Sequence, residues 1–248
     1  MIAQVTEQRL AAQYTAACAG VPGLGCVMDT RQELFGKNGG FFAGESFAVD
    51  ASGGSAWACG DYDPEELDSF LRFLGKKRLR TAGPCPTGWQ PDGSLLCFAL
   101  QPGQRLPLGD APAGLTLNRA PAPGKVAALL FPDAPERRED FYSELCVGRN
   151  HGRTFAWTLE NDGGPVCTVG VYASRPGEAY MACGVTVPAL RGQGIGGWLI
   201  AAMANELAEQ GQLVTFLCEE TRRRFYTRLG FSLLTEYRQY RCPETENE

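Results

Sequence analysis

Arg191-Gly192-Gln193-Gly194-Ile195-Gly196-Gly197 is the stretch that decides the fold of this 248-residue chain. An apolar run from Ala182 to Val187 precedes it, Pro188 bends the chain, and a helical pattern follows. The first N–H groups of a helix have no intrahelical partners, and the helix dipole adds partial positive charge there. Glycines let the backbone come close to a bulky anion. The combination suits a pyrophosphate, and hence a phosphate-bearing cofactor.

Other readings of the loop compete. Gly192, Gly194 and Gly197 spell G-x-G-x-x-G, with Glu219 beyond, which is the form of a dinucleotide fingerprint. That fingerprint starts directly off a strand, whereas Pro188-Ala189-Leu190-Arg191 intervene here. It also opens a fold that needs several more strands, and only 29 residues follow Glu219. A Gly-Lys-Ser/Thr ending of the Walker type is absent. A glycine-rich turn that only caps a helix is the bland alternative.

A second motif, Phe225-Tyr226-Thr227-Arg228-Leu229-Gly230-Phe231, lies further along. Taken in order, the two resemble the GNAT superfamily of N-acetyltransferases. Its Arg/Gln-x-x-Gly-x-Gly/Ala loop is similar to Arg191-x-x-Gly194-x-Gly196, and its Phe-Tyr-x-x-x-Gly-Phe segment to Phe225 through Phe231. The resemblance covers residues 113–248. It implies an α/β fold of mixed α+β type, a GNAT acyl-CoA N-acyltransferase fold whose central mixed sheet is flanked by helices. It also implies acetyl-CoA as co-substrate, without a metal, and direct transfer to a primary amine in a ternary complex.

The same resemblance distributes the roles. Backbone groups of Val185 and Val187 would pair with the pantetheine arm. The N–H groups of Arg191, Gly192, Gln193, Gly194, Ile195, Gly196 and Gly197 would hold the pyrophosphate. Tyr226 would return a proton to the leaving thiolate, a reasonable task for a phenol with a pKa of about 10; on periodicity alone it reads as a core tyrosine. Glu219, at the end of an apolar strand, is the candidate base or else a solvated charge. Many members carry Asn at the Glu219 position and Ala at the Arg222 position, so this segment departs from the pattern. Arg222, Arg223 and Arg224 either touch the CoA 3′-phosphate or form a solvated helix face. A protein that keeps the fold but only binds acyl-CoA or a partner is the alternative.

Net charge is −5, with acids and bases interspersed, which disfavours nucleic acid and anionic membranes as partners. It suits an amine acceptor, a small molecule or a peptide. The ten cysteines contain no Cys-x-x-Cys, and His151 is the only histidine, so zinc-ligand spacing is missing. Cysteines inside apolar runs, as in Leu95-Leu96-Cys97-Phe98, read as buried reduced thiols. No apolar run approaches the ~20 residues that span a bilayer, and Met1 to Glu7 lacks a leader pattern. A cytoplasmic protein is expected. His151 reads as a helix cap, and Lys76-Lys77-Arg78 with Arg80 as a solvated basic run.

Residues 101–124 are rich in Gly and Pro and suggest a connection between domains. We place the boundary near 110, giving domains 1–110 and 111–248. The second half reads as a short strand at 115–119, helices at 125–131 and 135–147, and strands at 154–159, 165–172 and 179–187. A helix at 194–210, a strand at 213–218, a helix at 221–229 and a strand at 231–241 follow. Ile195, Leu199, Met203 and Leu207 recur every four residues along the longest of these helices. The first half is a smaller α/β domain, with strands at 46–50, 55–60, 78–81 and 95–99 and a helix at 64–74 capped by Asp63. It is either a degenerate GNAT-like half or an unrelated fold. No glycine loop stands between Asp61 and Pro64.

Overall fold

The computed structural model describes residues 2–243. The strands are β1 (Ala3–Gln4), β2 (Phe41–Ala43), β3 (Phe47–Asp50), β4 (Ala56–Gly60), β5 (Arg78–Thr81) and β6 (Gln90–Leu100), then β7 (Thr116–Asn118), β8 (Phe155–Asn161), β9 (Gly164–Arg175), β10 (Glu178–Thr186), β11 (Leu213–Cys218) and β12 (Ser232–Arg241). The helices are α1 (Gln8–Ala19), α2 (Leu24–Phe35), α3 (Pro64–Phe73), α4 (Pro123–Leu130), α5 (Pro135–Asn150), α6 (Ile195–Glu209) and α7 (Arg223–Leu229). Two compact units result. The first takes residues up to Cys97, Leu217–Arg223 and the chain from Leu234 on; the second takes Phe98–Phe216 and Arg224–Leu233.

In the first unit the strand order is β1-β2-β3-β4-β5-β12-β6. β4 and β5 run parallel, while β1/β2, β2/β3, β3/β4 and β5/β12 are antiparallel. All four residues of β3 are buried, because both faces of the sheet are covered. Ala48 packs with Tyr14 and Cys18 of α1 and Leu24 and Met28 of α2. Val49 packs with Leu67 and Leu71 of α3 on the other side. Helices α1 and α2 are absent from the sequence reading. They approach closely at Gly25, where a Cβ would stand 2.2 Å from the Cys18 carbonyl oxygen. Asp63 caps α3 as expected, accepting from the N–H groups of Glu65 (2.9 Å) and Glu66 (2.8 Å).

The second unit has the order β11-β10-β9-β8-β7, antiparallel except for the parallel pair β10/β11. The β8/β9 turn is held by Asn161, whose Oδ1 accepts the Gly163 N–H at 2.9 Å. The Ile195, Leu199, Met203, Leu207 stripe of α6 is buried, but so are Ile200, Ala204, Asn205 and Ala208. The second buried face has a physical cause in the stretch after β6. Asn205 accepts the Leu106 N–H (2.7 Å) and donates to its carbonyl (3.1 Å), and Trp198 Nε1 donates to the Gly109 carbonyl (3.0 Å). The Gly/Pro-rich stretch thus lies on α6, and residues 98–110 belong to the second unit rather than to the first. A single cut at 110 also misses β12, which pairs with β5 and so joins the first unit from Leu234 on. Among the described residues no helix is long and apolar enough to cross a membrane.

Candidate active site

The site grows from the parting of two strands. Glu178, Ala179 and Tyr180 of β10 pair with Leu213, Val214 and Thr215 of β11. Past Tyr180 that ladder ends among the described residues, and β10 continues on β9 alone as far as Thr186. A slot with one free backbone edge opens along the second part of β10. At its closed end Thr215 Oγ1 donates to Glu178 Oε1 at 2.8 Å, and Arg175 reaches Glu178 Oε2 at 2.6 Å.

A β-bulge sits where the slot begins. Ala182 opposes Gly170 and Val185 opposes Thr168, so Cys183 and Gly184 together face Val169. Cys183 adopts φ +56°, the one positive φ outside glycine among the described residues. Burial, with the Glu144 carboxylate adding to it, pushes the Cys183 thiol up to about 11. This thiol is held protonated, and none of the ten cysteines is in a disulfide.

The bulge sets which backbone groups look into the slot. Val187 donates its N–H to the Val166 carbonyl at 2.9 Å, and its own carbonyl accepts from Leu190 at 3.0 Å. Alternate residues of an antiparallel ladder turn their backbone groups to the same neighbour. Val185 and Val187 therefore serve β9, and the backbone of Thr186 takes the slot side. This corrects the assignment of Val185 and Val187 to the pantetheine arm. The Thr186 carbonyl also accepts Arg191 Nε at 2.9 Å, which ties the Arg191 side chain back to the strand end.

The loop glycines divide by reason. Gly192 and Gly194 have φ +77° and +79°, and a Cβ on either would meet open space. Gly196 and Gly197 are glycine for packing: a Cβ would lie 3.0 Å from Thr186 Oγ1 and 3.1 Å from Leu229 Cδ2. Ile195 is buried and anchors the turn, while Gln193 is exposed. Gly194 caps α6 without any side-chain hydrogen bond, and the first backbone bond of the helix is Trp198 N–H to the Gly194 carbonyl at 2.9 Å. The N–H groups of Ile195, Gly196 and Gly197 precede that bond. The start of α3 in the first unit is the opposite case, since the Asp63 carboxylate already occupies its N–H groups.

Tyr226 is half-buried, and its ring is fixed by aromatic neighbours from three elements. Phe216 lies 4.0 Å away between centroids, Phe98 5.9 Å, Phe225 5.0 Å and Phe231 6.2 Å. Glu219 is exposed and belongs to the first unit's Leu217–Arg223 segment. Arg223 is held by Glu220 at 2.6 Å, whereas Arg222 and Arg224 are exposed. His151 ends α5, its N–H bonded to the Val147 carbonyl at 3.2 Å. Sequence reasoning missed Thr186, the Cys183 bulge, and the Phe98–Phe216 stack (5.8 Å) beside Tyr226. The bulge had a signal, a glycine inside a strand pattern; the stack joins distant segments and had none.

Residues 152–233 match the family model described as an acetyltransferase (GNAT) domain. A solved tandem GNAT protein from the clavulanic acid biosynthesis pathway is similar over 99% of this chain and 99% of its own, at 13% identity and a TM-score of 0.65. A GCN5-related N-acetyltransferase from Kribbella flavida is similar over 81% of this chain and 88% of its own, at 18% identity and a TM-score of 0.56. One from Sphaerobacter thermophilus is similar over 93% and 95%, at 14% identity and a TM-score of 0.58. No curated protein matches the sequence. At these identities the likeness to solved structures speaks for the fold, and the tandem neighbour extends it over the first unit as well.

Proposed function

We propose, from the match of residues 152–233 to the acetyltransferase (GNAT) domain model, that the chain is an acetyl-CoA-dependent N-acetyltransferase acting on a primary amine. The observation that carries this reading is the start of α6. Three N–H groups there precede the first helical bond, no side chain caps them, and two left-handed glycines face open space. The slot edge at Thr186 leads directly to that turn.

The residues present fit the co-substrate. Gly192 through Gly197 would hold its pyrophosphate by backbone N–H groups and the dipole of α6. The slot edge of β10, at Thr186, would accept the pantetheine arm as an added strand. Acetyl-CoA, when bound, supplies the thioester. Tyr226, its ring fixed by Phe216 and Phe98, donates a proton at the leaving sulfur. Glu219 is the carboxylate we assign to take the amine proton, directly or through water. The acceptor is a small-molecule or peptide amine, and the reaction belongs in the cytoplasm.

Acetyl-CoA binding measured by calorimetry on the wild type and on Gly194→Trp tests the reading. Binding lost in the variant supports it; no binding by a folded wild type sinks it. Tyr226→Phe should then lower kcat by about 10²–10⁴-fold with KM held. Binding without turnover on any amine would favour the acyl-CoA-binding alternative.

A further inference from the structure

At one end of the first unit's sheet, β5 and β12 place two arginines against each other. Arg78 opens β5, Arg241 closes β12, and the two are direct partners in the antiparallel ladder. Like charges placed so destabilise a sheet. Arg241 is turned toward β6, where it donates to Gln90 Oε1 at 3.3 Å and lies 3.9 Å from Asp92. Arg78 has no carboxylate partner among the described residues. Both side chains line a cleft of about 400 Å³, together with Lys77, Gln90, Cys242 and Pro243.

We propose that this cleft binds the phosphate group of a phosphorylated small molecule. Three cationic side chains line it, none of the described lining residues is acidic, and Asp92 meets Arg241 only at the long distance of 3.9 Å. Guanidinium forks match the oxygens of a phosphate in pairs, and the Gln90 amide adds a further polar contact. The cleft is far larger than an inorganic phosphate, so a body attached to the phosphate also has room. A bound dianion turns the Arg78/Arg241 repulsion into a shared contact. The like-charge pair is thus a feature that weakens the empty protein and serves the filled one.

Thermal unfolding of the full chain in sodium phosphate, against sodium chloride and sodium acetate at matched ionic strength, reads this out. Wild type, Arg78→Glu and Gly194→Trp are compared, since the α6 turn also attracts phosphate. The wild-type midpoint should rise with phosphate in a saturable way. In Arg78→Glu the chloride midpoint should equal or exceed that of the wild type, because the introduced carboxylate would pair with Arg241. The apparent phosphate affinity there should drop at least about tenfold, the loss of one charge-assisted hydrogen bond. Gly194→Trp should keep the cleft response. The proposal fails if Arg78→Glu answers phosphate as the wild type does, if its chloride midpoint falls, if acetate acts as well as phosphate, or if the wild type does not respond. Should Arg78→Glu not fold, Arg78→Gln gives the same phosphate comparison.

Discussion

Thr215 Oγ1 donates to Glu178 Oε1 at 2.8 Å, and this bond ties β11 to β10 diagonally, from the last of their three register pairs (Tyr180/Thr215) to the first (Glu178/Leu213). Glu178 is also the partner of Arg175, and the two side chains are 5% and 14% exposed. Removing the carboxylate would take this ion pair from a guanidinium that has little water. Glu178→Ala should therefore cost about 3–5 kcal/mol. Thr215→Val, which removes one hydrogen bond, should cost about 1 kcal/mol. Denaturant unfolding of both variants checks the order; equal costs would mean that the ion pair does not organise this end of the slot.

Cys183 offers a test of sign. Alanine is ordinarily better than glycine inside a strand by roughly 0.5–1 kcal/mol. At φ +56° a Cβ is strained by about 1–2 kcal/mol. Cys183→Gly should consequently be more stable than Cys183→Ala, reversing the usual order by about 1 kcal/mol. Melting curves of the pair decide it, and the usual order would show that the bulge relaxes when the sulfur goes.

Burial raises the Cys183 thiol from 9 to about 11. Between those values the unfolded chain releases a proton that the folded chain keeps, so stability falls as pH rises through that window. Below pH 9 this group adds no slope. The wild-type unfolding midpoint should drop between pH 9 and 11 more steeply than that of Cys183→Gly. Parallel curves would place the thiol in water.

Asn205 closes a pair of hydrogen bonds on Leu106, at 2.7 and 3.1 Å, and both residues are buried. Asn205→Leu would leave the Leu106 N–H and carbonyl without partners. A loss of about 2–3 kcal/mol is expected, with faster proteolysis within residues 101–110. Cleavage at the wild-type rate would show that the stretch is held by other contacts.

What was legible follows from range. The turn at 191–197 could be read because glycine, proline and the four-residue stripe of α6 act within one segment. The Asp63 cap and the His151 helix end are equally local. Helices α1 and α2 were not legible: α1 buries only Tyr14 and Cys18, and its closeness to α2 depends on Gly25, a glycine that reads as a breaker. That the backbone of Thr186, rather than that of Val185 and Val187, faces the slot depends on which residue of β9 stands opposite, which no local pattern reveals. The second buried face of α6 was hidden for a similar reason, because its cover comes from Leu106 and Gly109.

The placement of β12 bears on how the chain comes off the ribosome. Arg80 and Gln239 meet across 159 positions of sequence. The first unit is synthesised early, yet its sheet lacks the strand between β5 and β6 until nearly everything else has emerged. Vectorial folding, in which the N-terminal body finishes before the C-terminal one begins, is closed to this topology. Closing so long a loop is slow, and until then the edges of β5 and β6 stand open to chaperones and to other nascent chains.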